Sequence, residues 1–406
     1  MKLYDELKWR GLIQDISSPE LEDKLNNGCI TFYIGTDPTA SSMHIGHYSS
    51  FSVAKRLADA GHRPILLVGG ATGLIGDPKP NSERPMITKE ALDENYKGLR
   101  KQVEDIFGFE VVNNYDWSKD INFIDYLRDF GKYFSLNYML AKETVKSRLD
   151  VGITYTEFSY MIMQALDFLW LFNNKECTLQ IGGADQWGNI TAGIELARKK
   201  QGTELFAFTM PLILDANGNK FGKSEGNAVW LDKNLTSSYD MYQFFINQDD
   251  KMIIQYLKML SFLTPEEIME IEKDHLEKPE ARLAQKALAK NVITFLHGEN
   301  EYNKALETSE KVFRGEITDE MPTEIVEGSK NILDVLVNAK LTPSKSEARR
   351  LVEQGGISVD NTQVTDPNYE IDKDELILRK GKKIIIKIII KKKSGILKIS
   401  NTINNI

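Results

Sequence analysis

The segment Ile30–Thr36 (Ile-Thr-Phe-Tyr-Ile-Gly-Thr) constrains this chain more than any other. It reads as a buried strand that ends at a glycine. A helix is expected over His44–Ala60 and a second apolar strand over Pro64–Val68. Strand, crossover helix, strand is a βαβ unit, and its parallel strands need cover on both faces. The pattern recurs around Thr178–Ile181 and Pro211–Leu214. Residues 1–225 are therefore expected to form an α/β, Rossmann-like parallel sheet with helices on both faces. The helix-rich stretch of about 113–170 is expected to insert into it.

A chain of 406 residues exceeds one ordinary core. After Asp232 the strand signal disappears. Thr264-Pro265-Glu266-Glu267 is a strong helix start, with Thr264 as N-cap, Pro265 at the first position and Glu267 closing a capping box. Residues 226–320 are read as a helical domain. The composition shifts again near Pro322. Ser344 and Glu347 suggest a second capping box, the helix they open stops at Gly355-Gly356, and β-branched residues follow at Ile357, Val359 and Val364. A small α+β domain is expected over 328–390, with a basic tail at 391–406.

The net charge of −8 argues at first against a nucleic-acid partner, but its distribution is uneven. Residues 331–406 hold fourteen Lys or Arg against nine Asp or Glu, a net of +5, which leaves −13 on residues 1–330. A polyanion partner and a merely solvated tail both fit that asymmetry. No apolar run approaches the length of a membrane span, and the longest, Ile384–Ile390, is interrupted by Lys387. Residues 1–9 lack the apolar region of a secretory signal. The two cysteines, Cys29 and Cys177, lie far apart, which suits a reducing, cytoplasmic setting and argues against a zinc site.

Three clusters carry chemistry. In the first, the Gly35-containing strand runs through Asp37 and Thr39 into His44-Ile45-Gly46-His47. Two histidines three apart share one face of a helix's first turn, where the backbone also attracts anions. Phosphate on the histidines and a base over Gly46 fit; a metal pair or a simple helix cap are the alternatives. The second is Lys220-Phe221-Gly222-Lys223-Ser224, two lysines around a glycine, suited to gripping a phosphate chain in a transition state. A GxxxxGK[ST] phosphate loop would need its first glycine where Asn217 stands. In the third, Tyr160, Gln164 and Asp167 stand at i, i+4 and i+7 of an otherwise apolar helix, which suggests a buried pocket rather than a polar surface stripe. Gln180-Ile181-Gly182-Gly183-Ala184-Asp185-Gln186 follows, offering close backbone approach and a carboxylate for ribose hydroxyls.

His44-Ile45-Gly46-His47 and Lys220–Ser224 resemble the two signatures of class I aminoacyl-tRNA synthetases. The form of the second is that of the bacterial-type tyrosyl-tRNA synthetases. The likeness extends to Leu67–Pro78, Phe158-Ser159-Tyr160 and Gln180–Thr191. It implies a ligase that activates tyrosine with ATP, with Mg²⁺ carried on the phosphates and no protein-held metal, and then loads tRNA(Tyr). By this resemblance Tyr33 and Asp167 grip the phenol, and Asp77, Tyr160 and Gln164 hold the ammonium group, with Gln180 in the same pocket. Gly35, Asp37, Gly46, Gly183, Asp185, Gln186 and Ser224 line the nucleotide and adenylate. Thr39, His44, His47, Lys220, Lys223 and Arg84 serve the phosphates; the loop from Lys79 to Arg84 is shorter and less basic than usual. The C-terminal domain is similar to the αL RNA-binding motif, with Lys345, Arg349 and Arg350 on its RNA face. The resemblance also implies a helical anticodon-binding domain and a homodimer with the helical insertion at its interface.

Overall fold

The computed structural model describes residues 1–78, 86–150, 152–224, 227–318, 321–381 and 384–391. The chain packs as two units, Met1–Gly298 and Glu299–Ile406.

The first unit is built on a six-stranded sheet. Its strands are β1 (Asp15–Ile16), β2 (Thr31–Thr36), β3 (Arg63–Val68), β4 (Glu110–Asn113), β5 (Cys177–Gly183) and β6 (Phe206–Met210). Their order is β1-β6-β5-β2-β3-β4, with β1 antiparallel to β6 and every other pair parallel. Strand β6 is buried along its whole length, as expected of a sheet covered on both faces. From β2 the chain steps outward through β3 to β4, then returns to lay β5 against the other side of β2. The direction of winding reverses between β2 and β5, and such a reversal leaves a crevice at the carboxyl ends of the two strands. Their register sets Tyr33 beside Gln180.

The strand expected at Pro211–Leu214 lies instead at Phe206–Met210. Pro211 has no N–H for the ladder and closes the strand, so the apolar residues after it form a loop. Leu214 keeps only a single bridge, to Lys220. Two short strands, β7 (Lys223–Ser224) and β8 (Asn227–Ala228), then pair antiparallel.

The insertion between β4 and β5 is helical. It ends in a long helix, Tyr155–Lys175, capped by the Thr154 side chain. Trp117 and Trp170 stack at 4.0 Å and 11° in its core. A buried bidentate pair joins Arg148 to Glu157 at 3.0 and 3.2 Å. After the sheet come four helices, Ser238–Ile246, Asp250–Leu260, Pro265–Glu277 and Leu283–His297. Thr264 and Glu267 form the expected capping box. These helices belong to the same unit as the sheet. Tyr48 donates to the Leu260 carbonyl at 3.1 Å, and Arg10 donates to the Lys258 carbonyl at 2.9 Å.

The second unit begins with helix Glu299–Arg314. Its sheet contains β9 (Thr323–Glu327), β10 (Ile357–Val359), β11 (Thr362–Val364), β12 (Glu375–Lys380) and β13 (Ile384–Lys391), in the order β11-β10-β12-β13-β9. Strand β9 pairs parallel with β13 and lies upstream of residue 328, where the sequence suggested a boundary. Helices Ile332–Asn338 and Lys345–Glu353 share a core with this sheet through Leu336, Ala348, Val352 and Ile388. Ser344 caps the second helix by accepting from the Glu347 N–H at 3.3 Å.

Candidate active site

The crevice at the carboxyl ends of β2 and β5 is a cleft lined by Tyr33, Gly35, Asp37, Thr39, His44, Gly46, His47, Asp77, Tyr160, Gln164, Asp167, Gln180, Gly183, Asp185, Gln186 and Lys220. Residues from widely separated stretches of sequence thus meet on one surface. The parallel sheet brings this about, because every strand that feeds the cleft points its carboxyl end the same way.

One part of the cleft is rich in carboxylates, each held by side-chain donors. The Asp167 carboxylate accepts from Asn114 Nδ2 at 2.9 Å and from Trp117 Nε1 at 2.8 Å. Burial pushes its carboxyl up to about 7, the Asn114 and Trp117 hydrogen bonds pull it down, and the charge of Asp37 adds to the rise. Asp37 accepts from Thr72 Oγ1 at 2.8 Å and from the Tyr160 hydroxyl at 2.9 Å. Asp77 accepts from Gln186 Nε2 at 2.9 Å and Asn189 Nδ2 at 3.1 Å. Burial, then the nearby Asp37 and Asp77 charges, raise the Tyr160 phenol well above its ordinary value, so it stays a neutral donor.

Two polar atoms here have no partner among the described residues: the Tyr33 hydroxyl and Gln180 Oε1 are buried and make no hydrogen bond there. Tyr33 is 1% exposed and its ring packs edge-on against Phe168 at 5.3 Å. Burial, then the Asp167 charge, raise its phenol too. A buried hydroxyl without a partner costs on the order of 1–3 kcal/mol. Two such atoms on adjacent strands of one cleft mark a place prepared for a polar ligand.

The histidines occupy the start of helix Ile45–Asp59, with His44 as N-cap and His47 at N3. Their rings stack at 4.0 Å. His44 Nδ1 accepts from the Gly46 N–H at 3.1 Å, and His47 Nδ1 accepts from the His44 N–H at 3.2 Å. The capping alternative is thus realised, and it has a chemical consequence. An Nδ1 that accepts a backbone N–H carries no proton, so each neutral ring has its proton on Nε2 and presents a donor. Gly46 is required by its neighbour: a Cβ there would lie 2.8 Å from Cε1 of the His44 ring.

The lysine segment is sewn to this helix start. Ile45 N–H donates to the Val229 carbonyl at 2.8 Å, Leu231 N–H to Met43 O at 2.8 Å, and Val229 N–H to Gly222 O at 3.0 Å. Phe221 anchors the loop in a cluster with Phe244 and Tyr256. Lys220 is exposed and lines the cleft. Lys223 and Ser224 make up β7; their side chains lie outside the described residues. Arg84 and Lys79 also lie outside them. Among the described residues no group of three or more His, Cys, Asp or Glu is placed to hold a metal ion. No described helix is long and apolar enough to cross a membrane.

In the second unit Lys345, Arg349 and Arg350 are exposed on helix Lys345–Glu353. Lys345 is ion-paired with Asp334. Sequence reasoning missed Thr72, Asn114, Trp117 and Asn189. Asn114 directly follows β4, a position where parallel sheets place functional groups; Trp117 carries no such signal.

The profile of the family described as tRNA synthetases class I (W and Y) matches residues 25–314, and that of the tyrosine–tRNA ligase SYY-like C-terminal domain matches residues 315–388. The tyrosine–tRNA ligase of Streptococcus gordonii is 46% identical, over 94% of this chain and 98% of its own length. That of Streptococcus pyogenes serotype M49 is 45% identical over the same shares. A C-terminally truncated mitochondrial tyrosyl-tRNA synthetase from Aspergillus nidulans superposes with a TM-score of 0.69 at 30% identity, covering 77% of this chain and 94% of that one. A tryptophanyl-tRNA synthetase from Encephalitozoon cuniculi shares the fold, with a TM-score of 0.56 at 16% identity over 74% of this chain and 87% of its own.

Proposed function

The chain belongs to the class I tRNA synthetases of the tryptophan and tyrosine group, and on that premise we propose that it is a tyrosine–tRNA ligase working through the cleft between β2 and β5. The observation that carries the choice of amino acid is the unpaired Tyr33 hydroxyl, beside an Asp167 carboxylate already oriented by Asn114 and Trp117. A substrate phenol supplies one donor and one acceptor, so it pairs with both. Phenylalanine supplies neither and leaves the buried groups unpaired.

The substrate's ammonium group sits among Asp77, Tyr160 and Gln164, where the carboxylates give the cleft a cation-attracting field, and Gln180 Oε1 offers a further acceptor in the same pocket. Gly35, Asp37, Gly183, Asp185 and Gln186 line the ribose and the aminoacyl linkage, and the nucleotide extends over Gly46 and towards Ser224. The triphosphate meets Thr39, the Nε2–H donors of His44 and His47, and Lys220; the family resemblance assigns Lys223 and Arg84 to the same phosphates. Mg²⁺ travels on the triphosphate as part of the nucleotide substrate.

The tyrosine carboxylate attacks the α-phosphorus in line. The bond to the bridging oxygen breaks and pyrophosphate leaves, giving tyrosyl-adenylate. A hydroxyl of the terminal ribose of tRNA(Tyr) then attacks the acyl carbon and expels AMP. The substrate is its own nucleophile, so the protein supplies positioning and charge stabilisation. Residues 226–320 are read as the anticodon-side helical domain, and 328–390, with Lys345, Arg349 and Arg350, as a further RNA-binding domain. Exposed Phe123, Ile124, Leu127, Leu136 and Leu149 on the helical insertion support a homodimer through that face. The exposed, unpaired Cys29 suits the reducing cytoplasm.

ATP–pyrophosphate exchange with tyrosine, tryptophan and phenylalanine, without tRNA, tests this reading. Exchange with tyrosine alone is expected. Exchange with tryptophan in its place would keep the phosphate chemistry and refute the pocket assignment.

A further inference from the structure

His297 lies outside the cleft, yet it holds the backbone on which the phosphate side of the cleft is built. It is the last residue of helix Leu283–His297. Its Nε2 lies 2.9 Å from the Leu231 carbonyl, and its Nδ1 lies 2.8 Å from Ser238 Oγ in the first turn of helix Ser238–Ile246. A carbonyl only accepts, so Nε2 carries a proton and donates; in the neutral ring Nδ1 then accepts from the serine hydroxyl. Leu231 is the residue whose N–H donates to Met43 O, directly before His44. Trp230 pairs antiparallel with His44, and Val229 accepts from Ile45 and donates to Gly222. A chain of hydrogen bonds therefore runs from His297 through Leu231, Trp230 and Val229 to both the histidine turn and the base of the lysine loop. The packing between them is tight: at Gly222, where φ is +78°, a Cβ would lie 1.9 Å from Ile45 Cγ2. The tyrosine pocket is built independently, on β2, β5 and helix Tyr155–Lys175.

We propose that His297 is a positioning residue for adenylate formation: by clamping the Leu231 carbonyl it fixes the segment that holds His44 and the base of the Lys220 loop in register with each other. The proposal rests on the reading of the cleft as an adenylate-forming site. It assigns to the helices read as the anticodon side one group that touches no substrate and still sets the geometry of the phosphate-binding groups. Those groups act mainly in the transition state, so disturbing their register lowers kcat and leaves KM for tyrosine nearly unchanged.

The two ring nitrogens can be tested separately, because a glutamine amide reaches the place of Nε2 and an asparagine amide the place of Nδ1. The full chain is compared with His297→Gln, His297→Asn and His297→Ala in pyrophosphate exchange and in backbone hydrogen–deuterium exchange read by mass spectrometry. The glutamine variant is expected to stay within about threefold of the parent. The asparagine and alanine variants should fall roughly ten- to hundredfold in kcat, the scale of a small misplacement of catalytic groups, with KM for tyrosine within about twofold. In the same two variants, amides of residues 42–48 and 229–231 should exchange faster while those of β2 and β5 keep their protection. Equal behaviour of the glutamine and asparagine variants would overturn the proposal, as would an effect shared evenly between kcat and KM or a drop in protection across the whole unit. If the parent itself shows no exchange with tyrosine, the functional reading falls, and the deuterium measurement still decides whether His297 holds the segment.

Discussion

Replacing Tyr33 by phenylalanine separates what the cleft costs the protein from what it does for a ligand. In the free protein the Tyr33 hydroxyl is buried without a hydrogen-bond partner among the described residues. Its ring is held by the edge-on packing against Phe168, which phenylalanine preserves. Deleting the hydroxyl removes a desolvated donor, so the free protein should gain about 1 kcal/mol or stay unchanged. For a unit of this size 1 kcal/mol corresponds to a rise of about 2–4 °C in melting temperature. With tyrosine bound the sign reverses. The variant lacks one hydrogen bond to the substrate phenol, worth about 1 kcal/mol, and kcat/KM for tyrosine should fall on the order of five- to tenfold. Phenylalanine is unaffected by the change, so the preference for tyrosine over phenylalanine should narrow by on the order of tenfold. Thermal melts with and without tyrosine, together with pyrophosphate exchange for both amino acids, read all of these quantities. A free protein destabilised by more than about 1 kcal/mol, with the preference unchanged, would refute the reasoning: the hydroxyl would then serve the fold and not the ligand.

The Asp167 carboxyl stands near 7 in the folded state and near 3.8 when unfolded. Between those values the folded chain holds the extra proton, so its contribution to stability is present below about pH 4 and lost as pH rises through 7; the pH slope of urea-determined stability in that window should flatten in Asp167→Asn. Trp117→Phe removes a donor that lowers the same carboxyl, and the pH profile of kcat/KM for tyrosine should move to higher pH. Arg148→Met leaves Glu157 buried without its partner and should cost about 3–5 kcal/mol in denaturant unfolding, most of it recovered in Arg148→Met/Glu157→Leu. Arg349→Ala/Arg350→Ala should weaken tRNA binding and reduce its salt dependence by roughly 0.7–0.9 in log–log slope for each phosphate no longer neutralised, with pyrophosphate exchange unchanged.

Much of the cleft was legible because its residues sit in short, contiguous patterns. The strand ending Gly35-Thr36, the histidine turn and the i, i+4, i+7 face of Tyr160, Gln164 and Asp167 each encode a local geometry, and the parallel sheet then joins them. The groups that orient those residues were not legible. Asn114 and Trp117 reach Asp167 from fifty or more residues away in sequence, through packing of the insertion that no local periodicity records. The strand misplaced at Pro211–Leu214 failed for a related reason: hydrophobicity alone marks an apolar run, while the missing N–H of Pro211 decides where the ladder stops. The expected division at 226 was drawn from the fading of the strand signal. It could not register that Tyr48 and Arg10 bind the carbonyl end of helix Asp250–Leu260 and draw those helices into the sheet's own unit.

The cleft sorts charge, and that sorting explains why a single surface suits two anionic reactants. A tyrosine carboxylate and a triphosphate repel each other, so bringing them together requires each to be drawn by its other features. Asp77 and Asp167 line the part of the cleft that would take the ammonium and phenol of the amino acid, and repulsion from the same carboxylates turns its carboxylate outward. His44, His47 and Lys220 line the same cleft, and in the proposed reading they take the triphosphate. Because both histidines accept backbone N–H groups through Nδ1, they offer Nε2–H donors while uncharged. A neutral donor binds the ground-state triphosphate less tightly than a further cation would. It strengthens as charge accumulates on the oxygens around the α-phosphorus, which is the condition for lowering the barrier without trapping the nucleotide. In the proposed reading the helix cap and the phosphate donor are thus one hydrogen-bond arrangement. His44→Asn keeps an acceptor for the Gly46 N–H but withdraws the Nε2–H donor. It should therefore preserve the melting temperature within about 2 °C while lowering kcat by on the order of 100-fold. Parallel falls in both would mean that the ring acts as a cap alone.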